Sequence, residues 1–250
     1  MNDDCLSSSE VCHTGDNKCY SSGLSYEDAC AADNGDAVDD RCASGLCRST
    51  DDKCGCTSND HCPSNEVCHS DSSGDNKCYP YLKIFVSSET YKGNLGGASG
   101  ADDKCQDLAN IAAGLDGTFK AWLSQSTTDS PAESWSHAVP NRPYYLVDDT
   151  TKVADDWNHL TNAVNNELHH PINKNEDGQT INDALRVWTN TNWDGNRVPN
   201  SANCGGWTNN SNNKSGKYGR IDETSHNWSW AGSVNCNWEI RLYCIQQNTN

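Results

Sequence analysis

The chain has 250 residues, a mean hydropathy of -0.85, 34% hydrophobic residues, one Met and two Phe. One large apolar core is excluded by that composition, and a membrane-spanning helix by the lack of any run of about 18 apolar residues. A net charge of -17 argues against holding nucleic acid through its phosphates.

The fifteen cysteines divide unevenly. Eleven precede residue 81, whereas all nine tryptophans follow it. A reduced cytosol is a poor home for so many thiols, so an exported, disulfide-stapled chain is expected, with an extracellular location, secreted or at the cell surface. Residues 1–80 hold almost nothing apolar to bury and must depend on cross-links, while 81–250 have Trp, Tyr and Leu enough for one domain. Tyr79-Pro80 marks the boundary, because Pro biases the residue before it away from helix.

Within the first part Glu10-Val11-Cys12-His13 recurs as Glu66-Val67-Cys68-His69. Gly15-Asp16-Asn17-Lys18-Cys19-Tyr20 recurs as Gly74-Asp75-Asn76-Lys77-Cys78-Tyr79. The units run over about 1–20, 21–55 and 56–79, the middle one carrying Cys30, Cys42, Cys47 and Cys54. Cys5 matches Cys62, and the counterpart of Cys56 would fall before Met1. The odd count of eleven therefore predicts that residues precede Met1 in the complete protein, or that one thiol joins another chain. Zinc is the rival use for these thiols, but its usual C-x2-C pairs are missing. Little regular secondary structure is expected here.

Further along, Tyr81 to Ser87 reads as a strand and Tyr91 to Gly97 as a Gly-rich turn. A helix capped by Ser99 or Gly100 runs to about Ala113, stopped by Gly114. Ala101, Cys105, Leu108, Ala109 and Ala112 share one face of it, which makes Cys105 core-facing. Phe119–Leu123, Tyr144–Val147, Arg186–Thr189 and Glu239–Ile245 read as strands. Between about 190 and 237 no period is legible, and a long loop region rich in Asn, Gly, Ser and Trp is expected.

A helix cysteine early, a terminal-strand cysteine late and an inner pair in a long loop resemble the cysteine plan of the C-type lectin-like fold. Ile84-Phe85-Val86-Ser87-Ser88, Tyr91-Lys92-Gly93-Asn94-Leu95-Gly96-Gly97, Ala101-Asp102-Asp103-Lys104-Cys105, Ala121-Trp122-Leu123-Ser124, Tyr145-Leu146-Val147-Asp148 and Arg241-Leu242-Tyr243-Cys244 look more closely like endostatin-related domains of bacterial surface proteins. The resemblance covers roughly residues 82–247. It implies an α+β fold, a C-type lectin-like domain with long irregular loops over 81–250, and the pairs Cys105 with Cys244 and Cys204 with Cys236. It also associates the chain with surfaces and adhesion.

Calcium is the first chemistry to weigh. C-type lectins often hold sugar through calcium with a Glu-Pro-Asn or Gln-Pro-Asp tripeptide. Here Val198-Pro199-Asn200 puts Val where a carboxylate is needed. Asn173-Lys174-Asn175-Glu176-Asp177-Gly178 resembles the start of an EF-hand loop, making Asn173, Asn175 and Asp177 the candidate Ca2+ ligands. Ala184 stands where the bidentate carboxylate belongs, and an Asx-rich turn is the competing reading. Asp148-Asp149, Asp155-Asp156 and the run from Asp33 to Asp40 read as solvated loop charge. His169-His170 lack a third ligand.

Sugar contacts would come from Trp193, Trp207, Trp228, Trp230 and Trp238, with Asn200 and Asn237 beside them. An open indole face stacks on a pyranose and an amide bonds its hydroxyls. The competing reading makes most of these rings a private loop core. Of 30 asparagines 21 follow residue 157, and Asn209, Asn213 and Asn227 open Asn-x-Ser glycosylation triplets. No Gly-x-Ser-x-Gly, His-Glu-x-x-His or phosphate loop occurs, so no enzyme is expected. The expected function is non-enzymatic binding of a glycan or surface protein in adhesion. Two alternatives stand beside it: a self-assembling subunit of an extracellular filament or sheath, and a hypervariable binding scaffold.

Overall fold

The computed structural model describes residues 10–12, 19–21, 56, 62, 66–70, 76–135, 142–162 and 167–247. The chain divides into two units, Met1–Tyr81 and Leu82–Asn250. Cys5, Cys30, Cys42, Cys47, Cys54 and the last three residues lie outside the described residues.

In the first unit the sequence repeat is a repeated β-hairpin. β1 (Glu10–Cys12) pairs with β2 (Cys19–Ser21), and β3 (Glu66–Ser70) with β4 (Asn76–Pro80). The register repeats as well: Val11 faces Tyr20 and Cys12 faces Cys19, as Val67 faces Tyr79 and Cys68 faces Cys78. The expectation of little regular structure is thereby corrected. Tyr79 and Pro80 are the last two residues of β4. Cys68 and Cys78 lie opposite each other but do not bond together. Cys56 bonds Cys68 and Cys62 bonds Cys78, so both strands are clasped to the segment before them. Such clasps replace the core that a unit this small cannot build.

In the second unit, β5 (Leu82–Val86), β6 (Phe119–Ala121), β7 (Tyr144–Leu146), β8 (Lys152–Ala154) and β12 (Tyr243–Gln246) form one sheet in the order β6-β12-β5-β7-β8. A second sheet has the order β11-β10-β9, from β9 (Arg186–Trp188), β10 (Ser215–Arg220) and β11 (Gly232–Asn235). The one helix longer than four residues among the described residues is α1 (Gly97–Ile111). α2 (Pro131–Ser134), α3 (Trp157–Leu160) and α4 (Cys204–Trp207) are single turns. Among the described residues, then, twelve strands in four sheets accompany one real helix, and the α+β class is overturned in favour of a β-rich fold. No helix of the described residues is long and apolar enough to cross a membrane.

The five-stranded sheet is buried on both faces, so β5 is buried throughout and reads as an apolar run broken only by Lys83, whose Nζ pairs with Asp149 at 2.7 Å. Leu82, Ile84, Val86, Tyr243 and Ile245 enter one core cluster with Trp122 and Trp228. Phe85, Phe119, Ala121 and Cys244 enter another under α1, with Ala101, Cys105, Leu108 and Ala109. Cys105 bonds Cys244, tying the helix to an inner strand, and Cys204 bonds Cys236, tying α4 to the end of β11; both are the pairs the resemblance implies.

Helix α1 starts ahead of the expected Ser99 or Gly100. Gly96 and Gly97 take φ of 91° and 83°, a left-handed entry that favours glycine. The amide of Ala98 then donates to Gln125 Oε1 at 2.8 Å, so the cap comes from 27 residues away.

Asp102 on this helix is largely buried, and its Oδ1 accepts the Ala121 amide at 2.9 Å. Burial above all, with Asp129 and Asp103 assisting, pushes its pKa up to about 6, against the pull of the Ala121 amide and Lys120. The folded chain therefore binds this proton more tightly than the unfolded chain. Stability falls as pH rises from about 4 to about 6. Asp102→Asn keeps an acceptor for Ala121 and removes the charge. Above pH 6 the variant should be more stable than the parent, by no more than about 3 kcal/mol. Below pH 4 the difference should vanish. Urea midpoints across this range test it, and a difference that ignores pH would refute the assignment.

Candidate functional site

Of the seven residues with sugar-binding potential, the structure buries two. Trp207 and Trp228 have no exposed surface, and Trp193 is half-buried against the Trp122 cluster. Trp207 Nε1 donates to the Ser124 carbonyl at 3.0 Å, and its ring packs on Trp188 with centroids 5.7 Å apart. These rings are core. Asn200 is exposed with φ of 50°, a left-handed turn position that Asn tolerates, and Val198, two residues before it, is buried.

Trp230 and Trp238 are the two exposed tryptophans, at 39% and 46%. Each is held by a cation on the three-stranded sheet. Lys217 Nζ lies 5.8 Å from the Trp230 ring centre. The Arg186 guanidinium carbon lies 5.3 Å from that of Trp238 and 5.1 Å from that of Tyr218. Lys217 and Tyr218 are neighbours in β10 and point to opposite faces, so the two tryptophans belong to separate patches. The Trp238 patch is the richer one. The Trp238 amide donates to the Asn235 carbonyl at 3.1 Å, which sets the ring on a tight turn after β11, with Asn237 and Glu239 exposed on either side. Arg186 Nε is buried there and makes no hydrogen bond. Stacking thus fixes a half-exposed indole at low entropic cost, and its neighbours offer an amide and a carboxylate.

The Asn173–Gly178 loop has committed the side-chain oxygens of Asn175 and Glu176. Asn175 is buried and its Oδ1 accepts the Gln179 amide at 2.7 Å, an Asx turn. Glu176 accepts from the Ser88 amide at 2.9 Å and from its hydroxyl. Asp148, across the same open cleft, accepts the Thr151 amide and hydroxyl at 2.9 and 2.8 Å. Only Asp177 is exposed, and Asn173 Oδ1 is buried with no partner. The turn reading describes this loop better than the calcium one.

Among the acceptor asparagines, Asn213 is exposed, whereas Asn209 Oδ1 accepts the Ser211 amide of its own triplet at 2.9 Å. Asn227 lies in a 3-10 turn ahead of the buried Trp228 and Ser229.

One cluster escaped the sequence reading. Asp155 Oδ2 lies 3.0 Å from His159 Nδ1 and 3.0 Å from His169 Nε2, and its Oδ1 takes Lys152 Nζ at 2.8 Å. The spacing of Asp155 and His159, four apart with Asp155 just ahead of the Asp156 cap of α3, was the available signal. His169 joins through its backbone, whose amide donates to Val153 in β8 at 2.9 Å. The sulfurs of Cys56, Cys62 and Cys78 also converge, but as disulfides and not as thiolates.

A family profile described as a protein of unknown function (DUF1554) matches residues 88–224, more than half of the chain. The chain belongs to this family. No curated protein matches it. The DUF1554 span holds Arg186, Tyr218, Asp155, His159 and His169, and ends before Trp230 and Trp238.

Proposed function

We propose that the chain is a non-enzymatic extracellular adhesion protein that binds a glycan on a surface through the Trp238 patch. One observation carries the reading: a tryptophan 46% exposed and yet pinned by Arg186, beside an exposed Asn237. The apolar face of a pyranose packs on such a ring while the amide bonds its hydroxyls. Four disulfides among the described residues suit an oxidising location. The resemblance to endostatin-related surface proteins points the same way.

Magnitude sets the form of the test. Covering about half an indole removes on the order of 100 Å2 and yields about 2.5 kcal/mol. A millimolar Kd needs about 4.1 kcal/mol, so one ring on one sugar binds very weakly and multivalent display is needed. The full chain should mark neutral pyranose glycans on a dense glycan array, and Trp238→Ala should lower that signal at least tenfold. Ile111→Ala removes the most exposed large apolar side chain among the described residues and should leave the signal unchanged. Equal signals for parent and Trp238→Ala would end the proposal, as would equal losses in both variants.

A further inference from the structure

We propose that Asp155, His159 and His169 form a binding site for a divalent transition metal of the zinc class. Two donor atoms bound to one such ion at about 2.1 Å stand about 3.0 to 3.4 Å apart, depending on geometry. Asp155 Oδ2 stands 3.0 Å from each imidazole nitrogen it faces. Two imidazoles and one carboxylate are a common set for this class of ion.

The hydrogen bonds of His159 support the assignment. Its Nε2 lies 3.0 Å from the Glu167 carbonyl, which can only accept, so Nε2 carries the hydrogen. In a neutral ring Nδ1 is then a bare lone pair. The backbone N–H of Asp155 donates to that nitrogen at 3.2 Å, which marks Nδ1 as the acceptor, and a bound ion would take over the lone pair from this weak bond. The same lone pair faces the lone pairs of Asp155 Oδ2 at 3.0 Å. A cation between the two turns that repulsion into attraction. A ligating histidine also usually donates its second ring nitrogen to a carbonyl, which fixes the tautomer, and Glu167 supplies that carbonyl. The rival arrangement is a protonated His159 paired with Asp155, without any ion.

The donors are set in advance by three backbone segments. Asp155 follows β8 directly. The His159 amide is held by the Asp156 side chain at 2.7 Å at the start of α3. The segment of His169 pairs through its own amide with Val153, and through the Leu168 amide with Thr224 at 3.0 Å. His159 is buried, while the side chains of Asp155 and His169 are 40% and 43% exposed. A bound ion would thus keep positions open to water or to a donor from outside the chain. Lys152 occupies only Oδ1, leaving Oδ2 to the imidazoles.

The test is calorimetric titration of Zn2+ into the full chain after chelator treatment, repeated by absorption with Co2+. The parent should bind one Zn2+ at this site. His169→Ala and Asp155→Asn should each weaken that binding at least tenfold. Both side chains are partly exposed, and melting curves of the metal-free variants should match the parent closely enough to show intact folds. Co2+ should give visible d–d bands without a thiolate charge-transfer band. A parent that binds neither ion overturns the proposal, as does full Zn2+ affinity in either variant or a thiolate band that places the ion on the N-terminal cysteines.

Discussion

Replacing Cys105 and Cys244 together by Ala should cost the second unit more stability than any other change considered for it. The bond joins residues 139 apart in sequence, from α1 to β12. In the chain-entropy model, freeing a loop of that length costs about 5 kcal/mol, while the Cys204–Cys236 bond, with a separation of 32, is worth about 3.5 to 4. Typical domains have only about 5–15 kcal/mol in total. Both sites are fully buried, so Ala avoids introducing a buried hydroxyl, and paired replacement leaves no stray thiol. The native packing should survive, because Ala101, Leu108 and Ala109 still seat the helix on Phe85, Phe119 and Ala121. Urea unfolding of the two double variants reads the outcome through their midpoints. The Cys105/Cys244 variant should unfold at the lower concentration. Equal midpoints, or the reverse order, would show that loop entropy does not govern these bonds.

That argument was open to the sequence because apolar content and cysteine placement are local facts. Ile84-Phe85-Val86 announces a strand whatever surrounds it, and the helical face that carries Cys105 follows from spacing alone. β10 is the contrary case. Its sequence, Ser-Gly-Lys-Tyr-Gly-Arg, has two glycines and no alternation, and it sits in the stretch expected to be loop. The glycines are there for packing: a Cβ on Gly219 would come within 2.0 Å of the Trp228 carbonyl oxygen, and one on Gly216 within 2.9 Å of Cys204 Sγ and of the Trp188 ring. Those neighbours come from elsewhere in the chain, so a central strand of the second sheet looks like a linker. The start of α1 was misplaced for the same reason, since Gln125 supplies its cap. The candidate sites divide likewise. Exposed Trp238 and buried Trp228 are alike in sequence, and burial depends on which ring Tyr243 and Trp122 can reach. Asp155 looked like solvated charge because His169, its third member, is brought beside it only by pairing with β8.

Trp122 is where the sheet, the loops and the exposed surface meet, and Trp122→Ala should cost about 3–5 kcal/mol. The ring is wholly buried, 4.9 Å from Trp228, 5.7 Å from Trp135 and 5.8 Å from Trp157 between centroids. Its Nε1 donates to Ser229 Oγ at 2.7 Å, and that hydroxyl donates onward to the Thr191 carbonyl at 2.8 Å. Ser229 keeps its acceptor in the variant, so the loss comes from the cavity and from the aromatic contacts, not from an orphaned donor. Trp122→Phe should recover most of it, forfeiting mainly the hydrogen bond, worth about 1 kcal/mol. The loosening should be local. Ser229 precedes Trp230, whose amide donates to His226, and Ala231 donates to Tyr218 in β10. Amide hydrogen exchange should therefore quicken at Trp230 and Ala231 in Trp122→Ala and stay slow at Leu108 and Ala109 under the Cys105–Cys244 bond. A loss under about 1.5 kcal/mol, or faster exchange in α1 instead, would mean that the loops carrying Trp230 stand without this ring.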